Sequence, residues 1–212
     1  MATDSRVQVD PLDYILAKFG LDITNPLPIR VHLSRHCGLT KLWHELSYKV
    51  GAEIGVEQGY FSKEICRDNP GVRLFCIDPW QAYSRYKDHV SQEKLDGFYH
   101  DAVERLAPYN CDLVRQASLT AVQAFQPETL DFVFIDGNHD FDYVVRDIIA
   151  WAPIVRKGGM LAGHDYKREG GEKTPIPFGV IQAVNSYTSA HKISPWFVTH
   201  GDRCPSWFFI KT

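Results

Sequence analysis

Residues Asp131–Tyr166 read DFVFIDGNHDFDYVVRDIIAWAPIVRKGGMLAGHDY, and their pattern decides the fold. Asp131 to Ile135 is a short apolar run of the kind that forms a strand buried on both faces, and it leads straight into the carboxylate of Asp136. Asp142 is placed to cap a helix that carries Val145, Ile148 and Ala152 on one face. Gly158 and Gly159 then turn the chain into a second strand, Met160 to Gly163. Two strands joined through a helix in this way pair in parallel, with a right-handed crossover.

Working outward, the same unit recurs on the N-terminal side. Val50 to Ile54 reads as a strand and Phe61 to Asp68 as a helix stopped by Asn69, Pro70 and Gly71. Val72 to Ile77 is the next strand, followed by a helix with Leu95, Phe98, Ala102 and Leu106 on one face. Asp112 to Arg115 is a weaker strand, and Ser118 is placed to cap a helix carrying Leu119, Val122 and Phe125. On the C-terminal side, a helix bearing Val180, Ala183, Val184 and Tyr187 leads to two aromatic strands, Trp196 to Thr199 and Trp207 to Ile210. The loop His200 to Ser206 is too short for a parallel crossover, so those two strands form an antiparallel hairpin. The expected fold is α/β: a Rossmann-like, doubly wound, mainly parallel seven-stranded sheet closed by that hairpin.

The remaining segments are accessory. Residues 10 to 20 form a short helix, capped by Asp10, started by Pro11 and ended by Gly20. Asn25, Pro26 and Pro28 then interrupt regular structure, so residues 1–38 are expected to be an arm over a domain spanning residues 39–212. Residues 167–177, KREGGEKTPIP, read as a surface loop directly after the fifth strand.

Composition narrows the partners. The 212 residues are 44% hydrophobic, enough for one domain with a full core, and the formal charge of −3 gives no reason to expect nucleic acid. The five cysteines, Cys37, Cys66, Cys76, Cys111 and Cys204, are scattered and form no CxxC pair, which points to a reducing cytoplasm rather than a disulfide framework. No apolar run approaches membrane-spanning length. A small-molecule partner is expected, and homo-oligomerisation stays open.

In open α/β sheets ligands bind beyond the carboxyl ends of the strands, so the residues just after each strand carry the chemistry. After the first comes Glu53-Ile54-Gly55-Val56-Glu57-Gln58-Gly59, where Gly55 and Gly59 allow a tight turn. It lacks the second glycine that a pyrophosphate requires, and its acidic character suits a cationic ligand without phosphate. After the second strand stand Asp78-Pro79-Trp80, with Asp78 placed to accept from ribose hydroxyls and Trp80 either stacking near a base or packing in the core. Gln116-Ala117-Ser118 suits the edge of an adenine, or Ser118 is simply a cap. After the fourth and fifth strands, Asp136, His164 and Asp165 either gather round a divalent metal or hydrogen-bond ligands without one. His32, His36 and Cys37 offer an HxxxH spacing, with packing or surface histidines the default reading.

At these residues a resemblance becomes specific. Asp131–Tyr166, with the glycine loop and the Asp78-Pro79-Trp80 turn, resembles the bacterial class I methyltransferases grouped with macrocin O-methyltransferase and cephalosporin hydroxylase-like proteins, of methyltransferase family 24 type. The likeness to catechol O-methyltransferase is more distant. It covers roughly residues 50–210 and implies S-adenosylmethionine as cofactor, held by Glu53, Gly55, Glu57, Gly59, Asp78, Trp80, Ser118 and Asp136. Position by position it implies Asp136, His164 and Asp165 as ligands of Mg2+ or a transition metal, with His164 a departure from the usual carboxylate. His139 stands where catechol-type relatives carry a lysine base, so His139, Asp136 and Asp165 are the expected catalytic residues. The acceptor would be a small hydroxylated molecule such as a sugar, a phenol or a secondary metabolite. Rival readings are a nicotinamide-dependent oxidoreductase, an iron oxygenase using His139, His164 and Asp165, and a non-catalytic binding module.

Overall fold

The strands end flush. In the computed structural model, which describes residues 10–83, 91–167 and 178–212, Ile54 pairs with both Ile77 and Ile135, Ile77 with Val114, and Ile135 with Gly163. The ladder runs one residue further, because the amides of Gly55, Asp78, Asp136 and His164 each donate to the carbonyl of a neighbouring strand. The residues that follow the strands therefore emerge side by side along a single edge.

In chain order the elements are α1 (Pro11–Phe19), β1 (Ile29–Val31), α2 (Thr40–Glu45), β2 (Val50–Ile54), α3 (Tyr60–Asp68) and β3 (Arg73–Ile77). Then come α4 (Gln92–Leu106), β4 (Cys111–Val114), α5 (Ser118–Ala121), β5 (Leu130–Ile135), α6 (Phe141–Trp151) and β6 (Val155–Gly163). The chain closes with α7 (Val180–Ala190), β7 (Phe197–Thr199) and β8 (Trp207–Ile210). They build one eight-stranded sheet in the order β1-β7-β8-β6-β5-β2-β3-β4. Only β8 is reversed; it pairs antiparallel with both β6 and β7, as the short loop between the aromatic strands requires.

The count of eight exceeds the expected seven because Ile29–Val31 adds a strand parallel to β7. Three residues next to Pro26 and Pro28 carry too little pattern to be read as a strand, yet Ile29 and Val31 are buried and the sheet edge accepts them. This strand lies within the segment expected to form the arm. α1 is likewise docked, with Ile15 fully buried, Asp10 Oδ1 accepting from the amides of Leu12 and Asp13, and Gly20 closing the helix in the left-handed conformation.

Alternation along each strand separates two cores. Phe132, Phe134, Met160 and Phe208 face α1 to α4, whereas Val133, Ile135, Leu161 and Trp207 face α5 to α7. On the first face Trp43 stacks on Phe132 with ring centroids 4.2 Å apart. Gly51 makes room for that pair, since a Cβ there would lie 2.2 Å from the Phe132 ring.

The buried face of α6 is Val144, Asp147, Ile148 and Trp151, one position round from the expected Val145, Ile148 and Ala152. Neither Asp142 nor Ser118 caps its helix: the cap positions are Asp140 and Ala117, and the helix expected after Ser118 is one α turn continued as a 3-10 turn over Val122–Ala124. Of the expected loop 167–177, all but Lys167 lies outside the described residues.

Replacing Ile15 with alanine removes a fully buried side chain from between α1 and the sheet and is expected to cost about 2–4 kcal/mol. Denaturant unfolding checks this; a single shifted transition marks the N-terminal segment as integral, and an unshifted one marks it as peripheral.

Candidate active site

A cleft of about 680 Å³ opens along the edge where the strands end, and its walls include Arg35, Gly55, Asp78, Ser118, Asp136 and His139. The glycine loop forms its floor. Gly55 has φ 91°, and a Cβ on it would lie 2.3 Å from the carbonyl oxygen of Asp136 and 2.7 Å from Cα of Gly137. Both obstacles are backbone, so only glycine lets the tips of β2 and β5 come this close. Gly59, at φ 74°, begins α3.

Asp78 braces that loop. Its Oδ2 accepts from the amides of Val56 and Glu57, both at 3.0 Å, and its Oδ1 from the amide of Trp80 at 2.8 Å. Burial pushes its pKa above the usual carboxylate value despite those three donors. Trp80 lines the cleft with its indole almost wholly buried; Nε1 donates to the Glu57 carbonyl at 2.7 Å, and the ring packs edge-on to Tyr99. Glu57 and Trp80 both hold left-handed backbone, at φ 51° and 41°, and Asp165 does so at 55°. Such conformations cost free energy outside glycine, and these three sit in the loops after β2, β3 and β6.

Glu53 lies under the loop, buried and accepting from Ser62 Oγ. Burial raises its pKa to about 8, against the help of Ser62 and Arg35, so at neutral pH this side chain is predominantly the neutral acid. Ser118 lines the cleft, but its hydroxyl is engaged: it donates to Asp147 Oδ1 at 2.5 Å and accepts from Trp151 Nε1 at 2.8 Å.

Beside the cleft, side-chain atoms of Asp136, His139 and Asp165 lie within 4.8 Å of one another. The imidazole in this trio belongs to His139 rather than His164. The turn after β5 brings it there: Asn138 Oδ1 accepts from the Asp140 amide, the His139 carbonyl accepts from Gly179, and the ring stacks on Phe178 at 4.4 Å. His164 also lies beside both carboxylates, near Phe134, with Nδ1 3.5 Å from one oxygen of each.

His139 Nε2 approaches Asp165 Oδ2 to 2.9 Å, yet Nε2 makes no hydrogen bond, and Asp165 Oδ1 is also buried without one. Two carboxylates and an imidazole this close together could act as ligands of one cation. Burial disfavours the charged imidazole, but Asp136 and Asp165 outweigh it and hold the His139 pKa at about 9; His164 is raised to about 9 by the same pair. The ring is therefore protonated at neutral pH even though Arg35 pairs with Asp136 and Lys167 with Asp165, and accepting a proton requires more of the carboxylate charge to be offset.

Sequence reasoning did not find Arg35. It arrives from a π-helical turn, Arg35–Leu39, and donates through NH1 to Asp136 Oδ2 at 2.7 Å with its guanidinium over the Phe61 ring. Asp136 faces the imidazoles with Oδ1, so the arginine occupies the oxygen the cluster does not use. Nothing local in the sequence marks Arg35. Of the other histidines considered, His36 pairs with Glu64, and His32 lies against His200, Nδ1 to Nδ1 at 3.4 Å.

A family model described as a methyltransferase domain matches residues 52–166, more than half of the chain. The chain belongs to this methyltransferase family. No curated protein matches it in sequence. Among solved structures, it is similar to the O-methyltransferase TomG of Streptomyces achromogenes, involved in tomaymycin synthesis and solved with SAM, at 16% identity, TM-score 0.56, and coverage of 100% of this chain and 93% of that one. An O-methyltransferase of Bacillus cereus in complex with SAH gives 17% identity, TM-score 0.58, and coverage of 100% and 93%. An O-methyltransferase family protein of Burkholderia thailandensis gives 9% identity and TM-score 0.57, but 78% of this chain spans only about half, 51%, of that one. At such identities the likeness is one of fold. Among the described residues of this methyltransferase no helix is long and apolar enough to cross a membrane.

The buried acid of the methyltransferase gives a pH test. Glu53 has its folded pKa raised from 4.5 to about 8, so it contributes stability below pH 4.5 that is lost as pH rises to about 8. Glu53→Gln removes that loss, and thermal unfolding of the ligand-free protein is expected to show the variant gaining on wild type steadily from pH 5 to 8. A gap that does not change with pH contradicts a raised pKa at Glu53.

Proposed function

We propose that the chain is a cytoplasmic S-adenosylmethionine-dependent O-methyltransferase acting on a small hydroxylated acceptor, with a divalent cation held by Asp136, His139 and Asp165. The observation that carries this reading is the convergence of those three side chains beside a cleft floored by the glycine loop. The donor set fits a cation, because it combines two carboxylates with an imidazole whose buried Nε2 faces both of them. The cleft fits the cofactor in size, and its glycine loop lets a ligand approach the backbone closely.

When bound, the sulfonium supplies an already activated methyl group, and the cation supplies Lewis acidity that favours the ionised hydroxyl. The work left to the chain is positioning and charge. Asp78 and Gly55 fix the loop, and Asp78 keeps unused lone-pair capacity for a ribose hydroxyl. Glu53, held neutral by burial, supports the loop from below without adding charge. Arg35 orients Asp136 by its outer oxygen and leaves the inner one toward the cluster. His139 Nε2, between Asp136 and Asp165, is the nitrogen that would hold the cation or take the proton.

Two titrations test this. Calorimetry is expected to show binding of S-adenosylhomocysteine, and electron spin resonance to show one bound Mn2+ that Asp136→Asn removes while homocysteine-nucleoside binding stays within about threefold. Methyl transfer to a catechol probe that survives exhaustive chelation overturns the cation, and failure of the folded protein to bind the nucleoside overturns the assignment.

A further inference from the structure

The methyltransferase reading leaves one buried charge without a task. Asp147 stands on the inward face of α6 between Val144, Ile148 and Trp151, 7% exposed, and it lines the same cleft as Ser118. A carboxylate in an apolar stripe is costly unless donors reach it. Asp147 receives one: Ser118 Oγ donates to Oδ1 at 2.5 Å.

The direction of that bond is fixed. An indole N–H only donates, so Trp151 Nε1, 2.8 Å from Ser118 Oγ, makes the hydroxyl an acceptor there and turns its single proton toward Asp147. Trp151 is fully buried, which locks the relay. Ser118 therefore has no proton left for a ligand. Its bond to Oδ1 leaves the second carboxylate oxygen of Asp147, in a cleft-lining residue, as the acceptor at this end. Burial, partly offset by Ser118, raises the Asp147 pKa to about 6, as expected of an acid short of donors.

Position indicates what the missing donor is. The sheet order β6-β5-β2-β3-β4 puts the β4 tip, which leads to Ser118, three strand spacings from the β5 tip, roughly 14 Å at the usual spacing. Asp136, His139 and Asp165 mark one end of the site, and Asp147 with Ser118 marks the other. We propose that Asp147 reads the nucleobase of the cofactor, accepting a hydrogen bond from the exocyclic amino group of adenine and rejecting a base that presents a carbonyl there. The proposal rests on the S-adenosylmethionine reading above.

Two ligands separate the possibilities: S-adenosylhomocysteine and S-inosylhomocysteine, which differ in having an amino group or a carbonyl oxygen at that position of the base. Calorimetry on the wild-type protein is expected to favour the adenosyl compound by at least about tenfold, because a site built around a donor is left with an unmatched acceptor by its analogue. Asp147→Asn keeps an oxygen for Ser118 and adds an amide that can face a carbonyl, so it is expected to bring the two affinities within about threefold. Equal binding of both by wild type overturns this inference alone, and needs no variant to fold. A preference undiminished in a folded Asp147→Asn overturns it as well. Binding of neither overturns the cofactor reading and this one with it.

Discussion

The site depends on a backbone contact. The Asp136 amide donates to the Ile54 carbonyl at 2.7 Å, and the space above that bond admits no side chain on Gly55. This contact carries the strand register one residue past the ends of β2 and β5, and so brings the glycine loop against the residue that opens the acidic cluster. A Cβ at Gly55 would push the two tips apart, separating the floor of the cleft from Asp136. Everything chemical here is an elaboration of strands that end level and turn away in different directions.

Charge is then arranged around that edge by burial. Burial raises the pKa of Glu53, Asp78 and Asp147, whereas Asp136 and Asp165 are held ionised by His139 and His164, with Arg35 adding to Asp136. The same residue type thus plays opposite parts within one cleft. Acids held ionised gather at the end proposed for a cation, and acids whose charge burial disfavours sit beneath the loop and at the end proposed for the base. The left-handed turns at Glu57, Trp80 and Asp165 are the conformational cost of aiming loops inward, and the paired strands beneath them hold those turns in place.

Much of this was legible in the sequence for a physical reason. A strand buried on both faces must be nearly all apolar, so the first polar residue after VFI or LFCI marks the strand's end, and Asp78 and Asp136 declare themselves. The reversed hairpin followed from the length of a loop. What escaped was set by distant contacts or by a single helical step. Ile29–Val31 is a strand because an edge was available beside β7, and Arg35 reaches Asp136 across 101 positions of chain. Asp147 stood in view, but placing the apolar face of α6 on Val145 instead of Val144 turned it outward on paper. His139 and His164 both come within reach of Asp136 and Asp165, and residue spacing does not report how the turns after β5 and β6 aim the two rings.

The central claim is that the glycine loop and the acidic cluster serve one reaction centre. Paramagnetic relaxation of S-adenosylmethionine labelled with 13C in its methyl group, recorded with Mn2+ bound to the protein, measures this directly. The account requires strong relaxation placing the methyl carbon within about two strand spacings of the ion, roughly 10 Å, and its loss in Asp136→Asn. A bound cofactor whose methyl carbon is indifferent to Mn2+, or a relaxation effect that persists without Asp136, would contradict it.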